Sequence, residues 1–86
     1  MERNDQIRKE ILLQLYAARP LTLTPDRIAR DAKKQGYDYT VREIKQELVY
    51  LADNGLLIEI GDPGVSAKLY RIHAKGVTHY EQTYAA

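Results

Sequence analysis

Eighty-six residues carry thirteen Lys and Arg against twelve Asp and Glu, a net charge of +1, with seven tyrosines and no cysteine, tryptophan or phenylalanine. A chain this short buries only about 60–65% of its unfolded surface, which leaves room for one small core and none for a deep catalytic cleft. The missing cysteines exclude a disulfide framework and a thiolate metal site, and the near-neutral balance lacks the footprint of a strong nonspecific nucleic-acid binder.

A first helix is expected over residues 4–18, capped by Asn4 or Asp5, with Ile7, Ile11, Leu12 and Leu15 on one face and Ala18 a turn later. Pro20 ends it, because proline lacks the N–H that would continue the ladder and pushes Arg19 towards extended geometry. Leu21-Thr22-Leu23 alternates as a short strand does. Thr24-Pro25-Asp26 then starts a helix over residues 25–35, with an N-cap, a proline at the first helical position and an acid at the positive end of the dipole. That helix buries Ile28, Ala29 and Ala32 and stops at Gly36.

Thr40-Val41-Arg42-Glu43 has the spacing of a capping box and opens a third helix over residues 41–54. Val41, Ile44, Leu48 and Leu51 repeat at helical spacing, and Asn54-Gly55 supplies the stop. Leu56 to Ile60 is too short and β-branched to extend the helix. With Lys68 to Ile72 it forms a hairpin spanning residues 56–72, turned at Asp62-Pro63-Gly64 in the pattern of a type II turn. A last helix over residues 74–84 places Val77, Tyr80 and Tyr84 on one side. The chain therefore reads as a single domain, residues 1–86, mainly α with a small β-hairpin, in the order α-β-α-α-β-β-α.

Candidate functional residues fall on the second and third helices. At about 100° per residue, the inward stripe of the third helix leaves Arg42, Gln46, Tyr50 and Asp53 roughly opposite, with Glu43 and Val49 beside them. Arginine and glutamine are the types that contact guanine and adenine edges bidentately in the major groove. Arg27, Arg30 and Lys34 form a narrow basic arc on the second helix, with Lys33 nearby, where contact with phosphates is expected. The competing reading is that both faces are solvated surface: Asp26 and Asp31 partly neutralise the second helix, and the third carries Glu43, Glu47 and Asp53 against Arg42 and Lys45. Exposed Val49 and Tyr50 would suit a protein partner instead.

Little in the chain supports catalysis, and no enzyme activity, cofactor or metal is expected. His73 and His79 lack a second ligand at metal spacing, the five glycines stand singly rather than in a phosphate loop, and no nucleophile motif occurs. No apolar run approaches the ~20 residues of a membrane span, and Met1-Glu2-Arg3-Asn4-Asp5 does not read as a signal peptide. A cytoplasmic location is expected.

Two segments carry a family resemblance. Glu47-Leu48-Val49-Tyr50-Leu51-Ala52-Asp53-Asn54-Gly55-Leu56-Leu57 is similar to the "L-x-x-L-x-x-x-G-L-I" that closes the recognition helix of winged-helix domains of the MarR/PadR type. Leu69-Tyr70-Arg71-Ile72-His73-Ala74-Lys75-Gly76 resembles the "Y-x-L-T-x-K-G" that leaves their wing, with His73 in place of the usual Thr. The resemblance covers roughly residues 7 to 82, and in size and layout extends to small winged-helix proteins encoded in prophages. It implies that residues 40–54 form a recognition helix and residues 61–68 a wing, so that the protein is a sequence-specific, double-stranded-DNA-binding transcriptional regulator. Base contacts would then come from Arg42 and Gln46 with Lys45 at the flank. Phosphate contacts would come from Arg27, Arg30, Lys34, Lys68 and, secondarily to its capping role, Thr40. The C-terminal helix, through Val77, Tyr80 and Tyr84, is either a homodimer element or folds back on the first helix. The alternative function is a winged-helix protein-interaction module that uses Val49 and Tyr50.

Overall fold

The computed structural model of the protein describes residues 2–61 and 68–85. Four helices and a two-stranded antiparallel sheet follow in the order α1 (Arg3–Ala18), α2 (Pro25–Lys34), α3 (Val41–Asp53), β1 (Leu57–Ile60), β2 (Leu69–Ile72) and α4 (Ala74–Thr83). The mainly helical class with a small hairpin is as the periodicities require. The turn expected at Asp62-Pro63-Gly64 lies outside the described residues.

Local chemistry sets the helix ends. Thr24 caps α2 by accepting the Arg27 N–H at 3.2 Å, with Pro25 at the first helical position. Thr40 caps α3 through a complete capping box: its hydroxyl accepts from the Glu43 N–H at 3.1 Å while the Glu43 carboxylate accepts from the Thr40 N–H at 3.1 Å. Gly36 and Gly55 follow α2 and α3 at φ of +94° and +77°, the left-handed conformation that a residue with a Cβ rarely adopts. Two ends differ from expectation. The residue capping α1 is Glu2 rather than Asn4 or Asp5, and its side chain makes no capping bond. His73, which the expected bounds leave between the hairpin and the last helix, caps α4 by accepting the Lys75 N–H on Nδ1 at 3.1 Å.

The first three helices meet around one apolar cluster. Ile7, Ile11, Leu12 and Leu15 of α1 pack with Ile28, Ala29 and Ala32 of α2 and with Ile44, Leu48 and Leu51 of α3. The sheet closes one end of this cluster, with Leu57, Tyr70 and Ile72 buried. Its register pairs Leu57 with Ile72, Ile58 with Arg71, Glu59 with Tyr70 and Ile60 with Leu69. The short strand expected at residues 21–23 contracts to one residue. Leu23 alone bridges Tyr70, with both backbone bonds made at 2.8 and 3.0 Å, while Leu21 is 67% exposed. That bridge nonetheless ties the α1–α2 connection to the free side of β2.

The last helix folds back. Tyr80 is buried, its ring 4.5 Å from that of Tyr16 on α1, and Val77 and Tyr84 pack against the same cluster. Gly76 in the first turn of α4 lies so close to the α3–β1 junction that a Cβ there would overlap the Leu56 carbonyl oxygen and approach Ile72 Cγ1 to 2.9 Å. No described helix is long and apolar enough to cross a membrane.

Candidate nucleic-acid interface

With Ile44, Leu48 and Leu51 buried, α3 turns Arg42, Lys45, Gln46, Val49 and Asp53 to solvent. What makes this face distinctive is the fate of its two glutamates. Arg3 of α1 grips Glu43 with both limbs of its guanidinium, Nε to Oε2 at 2.6 Å and Nη2 to Oε1 at 3.0 Å, and also donates to the Asp38 carbonyl at 2.9 Å. Arg8, just over one turn later, reaches Glu47 at 2.6 Å and Asp5 at 3.4 Å. Each guanidinium also lies over a tyrosine ring, Arg3 at 5.2 Å from the Tyr39 centroid and Arg8 at 3.7 Å from that of Tyr50. Planar, always-charged arginine suits this double use of edge and face.

The electrostatic signature follows the geometry. The hydrogen bond from Arg3, and after it that from the Thr40 backbone, holds the Glu43 carboxyl down at about 2. Glu43 is therefore ionised, and both it and Glu47 are answered by cations on the α1 side. Arg42 and Lys45 carry no ion pair among the described residues, and Asp53 is the remaining acid on the helix. The open face consequently carries two cations against one anion, where a sum over all charges of α3 gives minus one.

On α2, the basic arc is only partly available. Asp31 sits between Arg27, at 3.6 Å, and Lys34, at 3.9 Å, and so shares its charge with both. Arg30 and Lys33 are exposed and make no ion pair among the described residues. Among the described residues, the unpaired cations of these two helices are thus Arg30, Lys33, Arg42 and Lys45, with Lys33 outside the narrow arc of Arg27, Arg30 and Lys34.

Other expected contacts fare differently. Lys68 is bound at 2.9 Å to Glu59, whose second oxygen accepts the Tyr70 hydroxyl at 3.0 Å. The Lys68 contact, with the Tyr70 bond behind it, keeps the Glu59 carboxyl below its usual value, while burial and then that hydrogen bond push the Tyr70 hydroxyl up to about 12. The Thr40 hydroxyl accepts from the Glu43 N–H and lies 3.2 Å from Oε1, so both its hydrogen-bonding roles are spent within the cap. Val49 and Tyr50 are each 45% exposed, but Tyr50 has one face under Arg8. Of the two placements open for Val77, Tyr80 and Tyr84, the structure takes the inward one. A homodimer through that apolar side would have to strip α4 from α1.

The residues that sequence reasoning missed are Arg3, Arg8 and Tyr39. A signal for them existed in principle: two arginines about a turn apart flanking the apolar stripe of α1, matching Glu43 and Glu47 one turn apart flanking that of α3. Their separations of 40 and 39 residues kept the match from view. His79 meets the edge of Tyr84 at 6.3 Å, and among the described residues no three His, Cys, Asp or Glu side chains gather in a way that could hold a metal ion.

Comparison with protein-family models, curated proteins and solved structures finds no match to this chain.

Proposed function

We propose that the protein is a sequence-specific DNA-binding transcriptional regulator of the winged-helix type, with α3 in the major groove and α2 against the backbone. The observation carrying this reading is the pairing of Glu43 and Glu47 with Arg3 and Arg8, which removes from the outer face of α3 the two carboxylates that would repel phosphates. The element order supports it, as does the Leu23–Tyr70 bridge, which adds a third strand position beside the hairpin. Arg42 and Gln46 are the base-reading residues in this scheme, since both are exposed in the N-terminal half of α3, where recognition helices reach base edges. Lys45, Arg30 and Lys33 hold phosphates, with Arg27 and Lys34 contributing when Asp31 gives them up. Lys68 takes a lesser part because Glu59 already holds it.

Binding through about four cations gives a log–log salt slope near −3.6, at −0.9 per phosphate contact for duplex DNA. Titration of a random duplex from about 50 mM salt upward measures this directly. Selection of bound genomic fragments then tests sequence reading. The double variant Arg42→Ala/Gln46→Ala is expected to lose enrichment and keep most of its weak binding to random duplex. Absence of any duplex binding at low salt would overturn the proposal. It would favour the second reading, a protein-interaction module, for which the 45% exposure of Val49 in the middle of the open face is the specific support.

A further inference from the structure

We propose that the groove between α1 and the segment joining α2 to α3 binds a small aliphatic cation, a guanidinium or primary ammonium on an alkyl chain, with the Glu10 carboxylate as counter-ion and the Tyr37 and Tyr39 rings as walls. The site is separate from the open face of α3 and stands whether or not that face meets DNA.

The groove encloses about 440 Å³ and is lined by Gln6, Lys9, Glu10, Leu13, Tyr37 and Tyr39. That volume is in the range of small-molecule sites. Glu10, only 6% exposed, is the one charged side chain among the buried described residues. A carboxylate in such a place is costly unless it is hydrogen-bonded and paired, and an apolar residue would serve a purely structural α1 better. Its Oε2 accepts from the Gln14 amide at 2.7 Å, and the same amide nitrogen donates to the Ile28 carbonyl of α2 at 3.0 Å. A neutral group anchored on a neighbouring helix therefore fixes the carboxylate in position. No Lys, Arg or His nitrogen lies within ion-pair distance of it among the described residues. Lys9, on the groove's rim, has its ammonium 5.5 Å from the Tyr84 ring.

The walls have the complementary chemistry. Tyr37 and Tyr39 stack with centroids 5.3 Å apart and planes within 5° of parallel, and Tyr37 and Leu13 are 44% and 40% exposed. Aromatic faces attract cations through the ring quadrupole, and the chain's own Arg3 guanidinium already lies over Tyr39. The segment carrying the rings is held: the Tyr37 N–H donates to the Ala32 carbonyl at 3.0 Å, and the Asp38 carbonyl accepts from Arg3. A fixed buried carboxylate beside exposed aromatic and aliphatic surface is the combination that selects a compact alkyl cation over a neutral or anionic ligand.

Amide chemical-shift titration of the full chain with butylguanidinium, and with its neutral isostere butylurea, tests the assignment. Saturable shifts confined to residues 6–13 and 37–39 are expected, with a dissociation constant of about 1 mM or lower. Butylurea should bind at least tenfold more weakly, and Glu10→Gln should cost butylguanidinium about the same factor, as loss of a charge-assisted contact does. Tyr37→Leu, a change on an exposed ring that leaves the core intact, should weaken binding about two- to fivefold. Equal binding of butylurea, an undiminished affinity in Glu10→Gln, or shifts that rise linearly over the whole surface would each overturn the proposal. If Glu10→Gln fails to fold, the comparison of the two probes and Tyr37→Leu decides the matter alone. A capped Gly-Arg-Gly peptide that binds more tightly than butylguanidinium would reassign the groove to a protein's arginine side chain and refute the small-ligand assignment.

Discussion

Replacing Gly76 with alanine sets two physical effects against each other. Gly76 is within α4, and helix propensity alone makes glycine to alanine stabilising by about 1 kcal/mol. The packing says the reverse. The new methyl group would overlap the Leu56 carbonyl oxygen, a backbone atom that cannot rotate away, and would crowd Ile72 Cγ1. That carbonyl also accepts the His73 N–H at 3.0 Å, the bond that joins the end of β2 to the start of β1. Moving it away costs roughly 1–3 kcal/mol for overpacking and about 1 kcal/mol for the strained hydrogen bond. Set against the propensity gain, the net is a destabilisation of about 2 kcal/mol. At 4–8 °C per kcal/mol for a domain of this size, the melting temperature should fall by about 10 °C. Urea denaturation followed by circular dichroism would measure it, with an unchanged m-value showing that stability and not the denatured state has moved. A Gly76→Ala protein as stable as the parent, or more so, would mean that α4 is not seated against Leu56 in this way.

Three further outcomes follow from the α1–α3 contact and the caps. Arg3→Gln/Arg8→Gln should weaken duplex binding about two- to fivefold at low salt although neither residue faces the groove, because two carboxylates left unanswered about 10 Å from phosphates each cost a few tenths of a kcal/mol per phosphate in water; the deficit should fade as salt rises, and one that persists in high salt would point to damaged folding instead. Thr40→Ala should cost about 1 kcal/mol in a urea melt, and a neutral result would mean that the capping box contributes nothing. The Glu43 carboxyl is lowered from 4.5 to about 2 by Arg3 and the Thr40 backbone. Its contribution to stability is therefore complete above 4.5 and is lost as pH falls towards 2, so the urea midpoint of Glu43→Gln should vary less across that window than the parent's, and parallel curves would refute the assignment.

Much of the architecture was legible because its signals are local. Thr24-Pro25, Thr40 with Glu43, and the glycines at 36 and 55 each act within four residues, and the helix bounds they set differ from the observed ones by a residue or so. The strand at residues 21–23 was overestimated because alternation records a preference for extended backbone, whereas pairing depends on what lies opposite. Only Leu23 reaches β2. The cap at His73 escaped because an imidazole is an uncommon N-cap. The site was less legible still. A helical wheel for α3 shows which side chains leave the core, but cannot show that those of Glu43 and Glu47 end on guanidiniums 40 and 39 residues earlier in the chain. The placement of Tyr80 was equally undecidable from a stripe that an intramolecular or a twofold partner would satisfy alike.

The grip of Arg3 and Arg8 on α3 also bears on how this helix can be handled. Excised as a peptide covering residues 40–54, it would carry its glutamates uncovered and present a net negative surface. Grafted onto another scaffold, it would bring the same handicap unless two arginines at matching heights came with it. The sign of its outer face is a tertiary property, set by a neighbour that does not itself lie on that face, and α3 is not a portable cassette.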